Sequence, residues 1–154
     1  RRLELLGVDL DGALEELRAL AHGIYPRTLS EFGVAEALRG VVTGASVAVR
    51  VTDHGFGRHA PAVENAVYFV CLEAVQNATK HAGCGAIDVE LGRRADAAWF
   101  AVSDDGDGFD PGGAPAGAGL VNMSDRVTAF GGALTIDSAP GRGCRIGGSI
   151  PLDG

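Results

Sequence analysis

The sequence predicts an α+β domain, a two-layer sandwich in which helices cover one face of a mixed sheet, preceded by a long helix of a bundle or coiled coil. Three observations predict this class. Apolar residues in the first 25 positions repeat at spacings of three and four, and a long helical stripe begins at Pro61. Short alternating segments typical of strands flank that stripe and a later, shorter helical segment. Apolar helix stripes and half-buried strands cover one another in two layers.

The N-terminal segment predicts a dimerisation helix. Its apolar positions follow the seam of a coiled coil, and Pro26 ends the pattern. An ordinary amphipathic core helix is the alternative interpretation. We expect residues 1–29 to be the end of this helix with its linker, residues 30–154 to be a separate domain, and the parent protein to be a homodimer through the helix. The repeating residues are Leu3, Leu6, Leu10, Ala13, Leu17, Leu20 and Ile24.

The elements of the second domain follow in order along the chain. After a loop, a short helix is expected from Gly33, and residues 46–53 alternate as a strand. Pro61 suits the first position of a long helix that reaches about His81. A shorter helix is predicted near 120–130, closed by two glycines. The remaining strands are expected near 86–91, 98–103, 133–138 and 144–150.

Composition excludes several classes of function. The chain of 154 residues is 46% hydrophobic and carries a net charge of −7, which argues against binding to nucleic acid through the overall field. No run approaches the ~18 apolar residues of a membrane span. Three cysteines without CxxC spacing indicate reduced thiols rather than a disulfide framework or a zinc site. We therefore expect a cytoplasmic domain with no nucleic-acid partner and no direct membrane contact.

The long predicted helix carries four polar side chains on one face beside its apolar stripe. As chemistry, Glu73 could orient or deprotonate a nucleophile, and Asn77 could give a neutral oxygen to Mg²⁺. Lys80 could meet phosphate, and His81 is the one histidine with a plausible phosphate role. A solvated helix face stabilised by charge pairs is the alternative.

Four aspartates lie between residues 104 and 110, directly after a predicted strand. A Ca²⁺-binding loop is excluded, because a loop starting at Asp105 would place Phe109 at the fifth position and Asp110 where glycine is required. A plain acidic turn is the other alternative, but it leaves the later glycine cluster unexplained.

That second glycine cluster precedes the shorter predicted helix. A dinucleotide-binding fingerprint is excluded, because the segment 117–122 lacks the third glycine. Gly117 and Gly119 before Leu120 would let phosphate oxygens approach backbone N–H groups at the start of a helix.

Four motifs in this order resemble the conserved boxes of the GHKL ATPases, the family of gyrase, Hsp90, histidine kinases and MutL. Residues 73–82 look like the N-box, 104–108 resemble the DxGxG box, 117–123 the GxGLxxM box, and 141–144 the GxGT box. Residues 17–29 are similar to the end of the dimerisation domain of sensor histidine kinases of the nitrate-sensor type.

The resemblance implies a sandwich of the Bergerat type that works as the ATP-binding catalytic domain of a two-component sensor histidine kinase. Such a domain transfers the γ-phosphoryl group of ATP, with Mg²⁺, to a histidine on a dimerisation helix for relay to a response regulator. Since nothing here resembles the acceptor motif, we expect the chain alone to bind ATP without phosphorylating itself. The alternatives are a GHKL serine kinase of the anti-sigma-factor type, an ATP hydrolase, or a degenerate nucleotide-sensing module.

The resemblance also implies a role for each residue of the boxes. Asp104 would accept the amino group of adenine, with Gly106 letting the base approach, and Asn77 would bind Mg²⁺. Cys144 stands where the family usually has threonine, in a position that contacts adenine through water. The implied catalytic residues are Glu73, Asn77 and Lys80. The implied nucleotide-binding residues are Asn77, Lys80, His81, Asp104, Gly106, Gly108, Gly117, Gly119, Leu120 and Cys144, with Gly117 and Gly119 as hinges of a lid.

Overall fold

The computed structural model describes residues 27–81, 85–108 and 118–152, so the predicted N-terminal helix lies outside the described residues. Within these ranges helices and strands follow one another in the predicted order. The helices are α1 (Arg27–Phe32), α2 (Val34–Val42), α3 (Pro61–His81) and α4 (Ala118–Thr128). The strands are β1 (Ala48–His54), β2 (Ala86–Arg94), β3 (Ala97–Asp104), β4 (Ala133–Ser138) and β5 (Cys144–Pro151).

The five strands form one mixed sheet in the order β1-β2-β3-β5-β4. Strands β1 and β2 run parallel, and the other neighbouring pairs are antiparallel. The last strand in sequence, β5, is therefore inserted between β3 and β4. The mixed sheet confirms the predicted fold class.

The helices pack on one face of this sheet. Helix α3 contacts β2, β3 and α4, while α4 contacts β4 and β5 and α2 contacts β1. Alternate strand residues point into this layer, as a half-buried sheet requires. None of the helices in the described ranges has the length and apolar content that a membrane span needs. The strand residues that belong to the buried core cluster are Ile87, Val89, Leu91, Ala98, Phe100, Val102, Ile146 and Ile150.

Helix α3 begins at Pro61 as predicted, because proline fits the first position of a helix. Its apolar stripe is buried against the sheet, and burial raises the pKa of the Cys71 thiol, which stays protonated. The buried residues of the stripe are Val67, Val70, Cys71, Ala74, Val75 and Ala78.

An ion pair fastens α1 to the start of α3. The Glu64 side chain is only 3% exposed, and the Arg58 guanidinium donates to both of its carboxylate oxygens, at 2.8 and 3.1 Å. The same guanidinium donates to the carbonyl oxygens of Ser30 and Glu31, and the backbone N–H of His59 donates to Glu64. We call this group the Arg58–Glu64 clasp. It joins the C-terminal carbonyls of one helix to the first turn of another.

Several element boundaries differ from the prediction, including that of β1, which was expected at 46–53 and spans Ala48–His54. Residues 27–32, expected as a loop, form α1, because Leu29 is buried in the core and the Arg58–Glu64 clasp satisfies the final carbonyls. Strand β2 continues to Arg94 and strand β3 already begins at Ala97, so both are longer than expected. The two strands stay paired up to a two-residue turn, in which Ala95 has a φ of 51°. Helix α4 begins and ends two residues earlier than expected.

Candidate functional site

The DxGxG and GxGT boxes meet at one end of the sheet. There, Asp104 at the end of β3 pairs with Ile87 near the start of β2 and with Cys144 at the start of β5. We call this the site end of the sheet. Helix α3 ends at His81, and only residues 82–85 separate it from β2, so the C-terminal end of α3 lies at the site end as well.

The N-terminal end of α4 also points toward the site end. Helix α4 leads through a short turn into Ala133, which pairs with Ser149 at the opposite end of the sheet. The helix therefore starts on the site side, with Gly119 in its first turn and Leu120 half-buried against the core. Gly117 lies outside the described residues.

Asp104 is half-buried and has one carboxylate oxygen committed to its own loop. That oxygen accepts the backbone N–H of Gly106 at 2.9 Å, which holds the turn after β3. The second oxygen has no hydrogen-bond partner in the described part of the chain. An acceptor in this state can bind an N–H donor of a ligand without breaking an internal bond.

The Cys144 thiol lies beside this carboxylate. Burial raises its pKa, and the negative charges of Asp104 and Asp137 raise it further, against a lowering hydrogen bond with Ser138. The side chain is thus a neutral thiol. Because a thiol is a weaker hydrogen-bonding group than a hydroxyl, Cys144 is a poorer polar contact than the threonine that is usual in this box.

Close backbone approaches lock the two boxes together. Gly108 and Gly143 both have positive φ, at 68° and 71°, and a Cβ at either would lie 2.2 Å from a carbonyl oxygen, that of Ala139 or Asp104. The N–H of Gly141 donates to the carbonyl of Asp107, which closes the contact between the loop and the turn. Only glycine permits this approach.

The N-box residues occupy the last two turns of α3 and the turn before them. Glu73 and Asn77 are half-buried beside the apolar stripe, where the helical spacing predicted them, and neither makes a hydrogen bond to a described residue. Lys80 is exposed. His81 is the last residue of α3, and its side chain lies outside what the structure describes.

The oxygen that Asn77 offers suits a Mg²⁺ ion that is bound mainly by the phosphate groups of a ligand. Asn77 offers one neutral amide oxygen, and Mg²⁺ is commonly bound through one or two protein oxygens together with phosphates and water. Within residues 27–81, 85–108 and 118–152, no group of three His, Cys, Asp or Glu side chains could hold a metal alone. Asn77 therefore fits a Mg²⁺ that arrives with phosphate groups.

Asp105 is a site feature that the motif comparison did not assign. One of its carboxylate oxygens accepts the backbone N–H groups of Gly85 at 2.8 Å and Ala86 at 3.1 Å. The N–H groups of Ala86 and Gly85 hold the pKa of this carboxyl below its usual value. Its position next to a strand end was the available signal, since carboxylates there often accept backbone N–H groups.

Residues 62–154 match the family of histidine kinase-, DNA gyrase B- and HSP90-like ATPases. The chain belongs to this family. The matched region runs from the first turn of α3 through β5 and contains every box of the GHKL pattern. It therefore includes the whole site end of the sheet.

Curated relatives of the chain are sensor kinases. It is 34% identical over 139 residues to the sensor histidine kinase MctS of Rhizobium johnstonii, covering 84% of this chain and 30% of that protein. It is 29% identical over 146 residues to the signal transduction histidine-protein kinase/phosphatase UhpB of Salmonella typhimurium, covering 91% and 29%. The chain thus spans about 30% of the length of these relatives.

Solved structures share the fold. The blue-light activated histidine kinase of Erythrobacter litoralis superposes with a TM-score of 0.71 at 18% identity, covering 94% of this chain and 50% of that one. The histidine kinase domain of the E. coli osmosensor EnvZ superposes with a TM-score of 0.62 at 20% identity, covering 79% and 86%. Both comparisons agree with the GHKL sandwich predicted from the boxes.

Proposed function

We propose that this GHKL domain is the catalytic part of a two-component sensor histidine kinase, which transfers the γ-phosphoryl group of ATP to a histidine on a dimerisation helix outside this chain. The observation that supports it best is the meeting of the DxGxG box, the GxGT box and the N-box at the site end of the sheet. The named kinases that align with most of the chain favour this class over a serine kinase or a hydrolase.

At the adenine end, the second carboxylate oxygen of Asp104 accepts a hydrogen bond from the exocyclic amino group of the base. Gly106 has no side chain and would let the base approach. Gly108 holds the loop against the turn before β5. Cys144 lies beside Asp104 and contributes apolar contact with a weak hydrogen bond.

At the phosphate end, Asn77 would supply the amide oxygen for Mg²⁺, and Lys80 and His81, which end α3, would contact the phosphates. When bound, Mg²⁺ would neutralise charge on the phosphate oxygens. By the resemblance to the GxGLxxM box, Gly117 and Gly119 would act as hinges of a lid, and Leu120 packs the start of α4 against the core. Backbone N–H groups there add positive potential without a positive side chain.

The reaction that this arrangement supports is a displacement at the γ-phosphorus. The unprotonated nitrogen of the acceptor imidazole forms the P–N bond while the bond between the γ-phosphorus and the β-γ bridging oxygen breaks and ADP leaves. The proton on the other ring nitrogen passes to the Glu73 carboxylate. Glu73 is the carboxylate residue of the N-box and orients the acceptor imidazole. The domain contributes positioning and charge neutralisation, which account for most of catalysis in phosphoryl transfer.

The partners follow from this role. The parent protein would form a homodimer through its N-terminal helix and pass the phosphoryl group to a response regulator. The domain would work in the cytoplasm, where ATP is available and where free thiols such as Cys71 and Cys144 stay reduced.

Replacing Asp104 by alanine should weaken ATP binding roughly 5- to 150-fold, because the adenine amino group loses its acceptor, a loss of about 1–3 kcal/mol. Isothermal titration calorimetry of the chain measures this directly. Asp107→Ala is the matched control, since that carboxylate lies in the same loop and has no hydrogen bond to a described residue. Equal affinity of the Asp104 variant and the wild type would refute the adenine assignment.

A second experiment tests the class of enzyme. A longer fragment of the parent protein, carrying the segment upstream of Arg1 and inactivated by Asn77→Ala, should become labelled from γ-labelled ATP only when the wild-type chain is added. The label should be acid-labile, as phosphohistidine is. The chain with Asn77→Ala serves as the inactive control.

The other outcomes of this experiment identify the alternatives. An acid-stable label would indicate a serine kinase, and released phosphate without labelled protein would indicate a hydrolase. Failure of the wild-type chain to bind ATP at all would indicate a degenerate module.

A further inference from the structure

Asp105 ties the end of β3 to the connection that leaves α3. Asp104 and Ile87 form the last pair of the β2–β3 ladder, and Asp105 follows directly. One carboxylate oxygen of Asp105 accepts hydrogen bonds from the backbone N–H groups of Gly85 and Ala86. The main-chain pairing of β2 with β3 has ended at this point. The side chain thus extends the strand pairing by one step.

This contact lies between the two halves of the nucleotide site. On one side it adjoins Asp104, whose carboxylate faces the adenine position. On the other side, Asp105 holds Gly85, and only residues 82–84 separate Gly85 from the end of α3. Lys80 and Asn77 lie in the last two turns of that helix. Since an extended chain spans at most ~3.3–3.6 Å per residue, fixing Gly85 limits how far the end of α3 can lie from Asp105.

We propose that Asp105 is a positioning residue that sets the phosphate-binding end of α3 relative to the adenine carboxylate of Asp104. The proposal rests on the proposed ATP-binding function. Asp105 does not touch the nucleotide in this role; it acts through the backbone of Gly85 and Ala86.

Both hydrogen bonds end on the same oxygen of Asp105. The amide oxygen of asparagine can accept both of them, whereas alanine can accept neither. Asp105→Asn should therefore keep the tie and Asp105→Ala should lose it. A role that depends on negative charge would instead make the two variants alike.

The test compares ATP with adenosine, which has the base but no phosphates. Asp105→Ala should weaken ATP binding by roughly tenfold, about the effect of one backbone residue that must be ordered on binding. Its affinity for adenosine, measured by NMR titration, should change by less than about twofold. Asp105→Asn should bind both ligands as the wild type does, and Asp107→Ala is the control for removing a carboxylate from this loop.

Amide hydrogen exchange without nucleotide gives an independent measurement. The N–H groups of Gly85 and Ala86 should exchange faster in Asp105→Ala than in Asp105→Asn or the wild type. Unchanged ATP affinity in Asp105→Ala, or an equal loss for ATP and adenosine, would overturn the proposal. If the wild-type chain bound no ATP, the proposed function would fail, while the exchange data would still report on the tie.

Discussion

Replacing Gly143 by alanine is expected to remove most of the ATP affinity and to lower the free energy of unfolding by about 2–5 kcal/mol. A Cβ at this position would lie 2.2 Å from the carbonyl oxygen of Asp104, and φ is 71°. The atom that it meets belongs to the backbone and cannot rotate away. Strands β3 and β5 would have to separate where Asp104 and Cys144 face each other. The Asp104 carboxylate, which is proposed to bind adenine, would then move.

Gly141→Ala is the matched control for this variant. Gly141 has a similar φ of 79°, but a Cβ there would have no neighbour within 4 Å. Alanine at 141 should therefore cost only the backbone strain, about 1–2 kcal/mol, and leave ATP affinity nearly unchanged. Urea unfolding and calorimetry measure both quantities. If the two variants behave alike, the close approach at Gly143 is not what holds the site.

Disruption of the Arg58–Glu64 clasp should give the second large effect. Glu64→Ala removes three charge-assisted hydrogen bonds and should lower the free energy of unfolding by about 2–3 kcal/mol. Arg58→Ala should lower it further, because the Glu64 carboxylate then remains buried without its partner. The double variant should lose less than the sum of the single variants. Urea unfolding of the four proteins completes the cycle.

The Arg27–Glu31 pair in α1 is the control for the clasp. Both side chains are exposed, at 87% and 53%, so Arg27→Ala should change the free energy of unfolding by less than about 0.5 kcal/mol. Strictly additive losses in the Arg58/Glu64 cycle would contradict a coupled clasp. A large loss in the Arg27 control would mean that α1 depends on its surface charges instead.

Much of the fold could be predicted because periodicity reports burial directly. The stripe that begins at Pro61 and the alternation of Val47, Val49 and Val51 identified α3 and β1 without any knowledge of their neighbours. Helix α1 could not be found in this way. It is six residues long, and its final carbonyls are satisfied by Arg58, a side chain that lies 26 residues beyond the end of the helix at Phe32.

The same distinction applies to the site. Spacing on one helix and short glycine motifs indicated Asn77, Lys80 and Asp104, because each belongs to a local pattern. Asp105 lay inside one of those motifs, but its contacts with Gly85 and Ala86 join segments about 20 residues apart. No local pattern records such a contact. The pairing of Asp104 with Cys144, 40 residues later, likewise became visible only through the strand register.

The insertion of β5 between β3 and β4 has a consequence for the order of folding. While the polypeptide emerges from the ribosome, the first three strands can pair, but β4 has no neighbour in the sheet until β5 has been synthesised. Such non-local pairing is slow and exposes apolar surface in the meantime. The adenine end also needs β5, since Asp104 faces Cys144. Nascent chains that stop before residue 144 should therefore be unable to retain nucleotide, and ATP capture would signal a completed sheet.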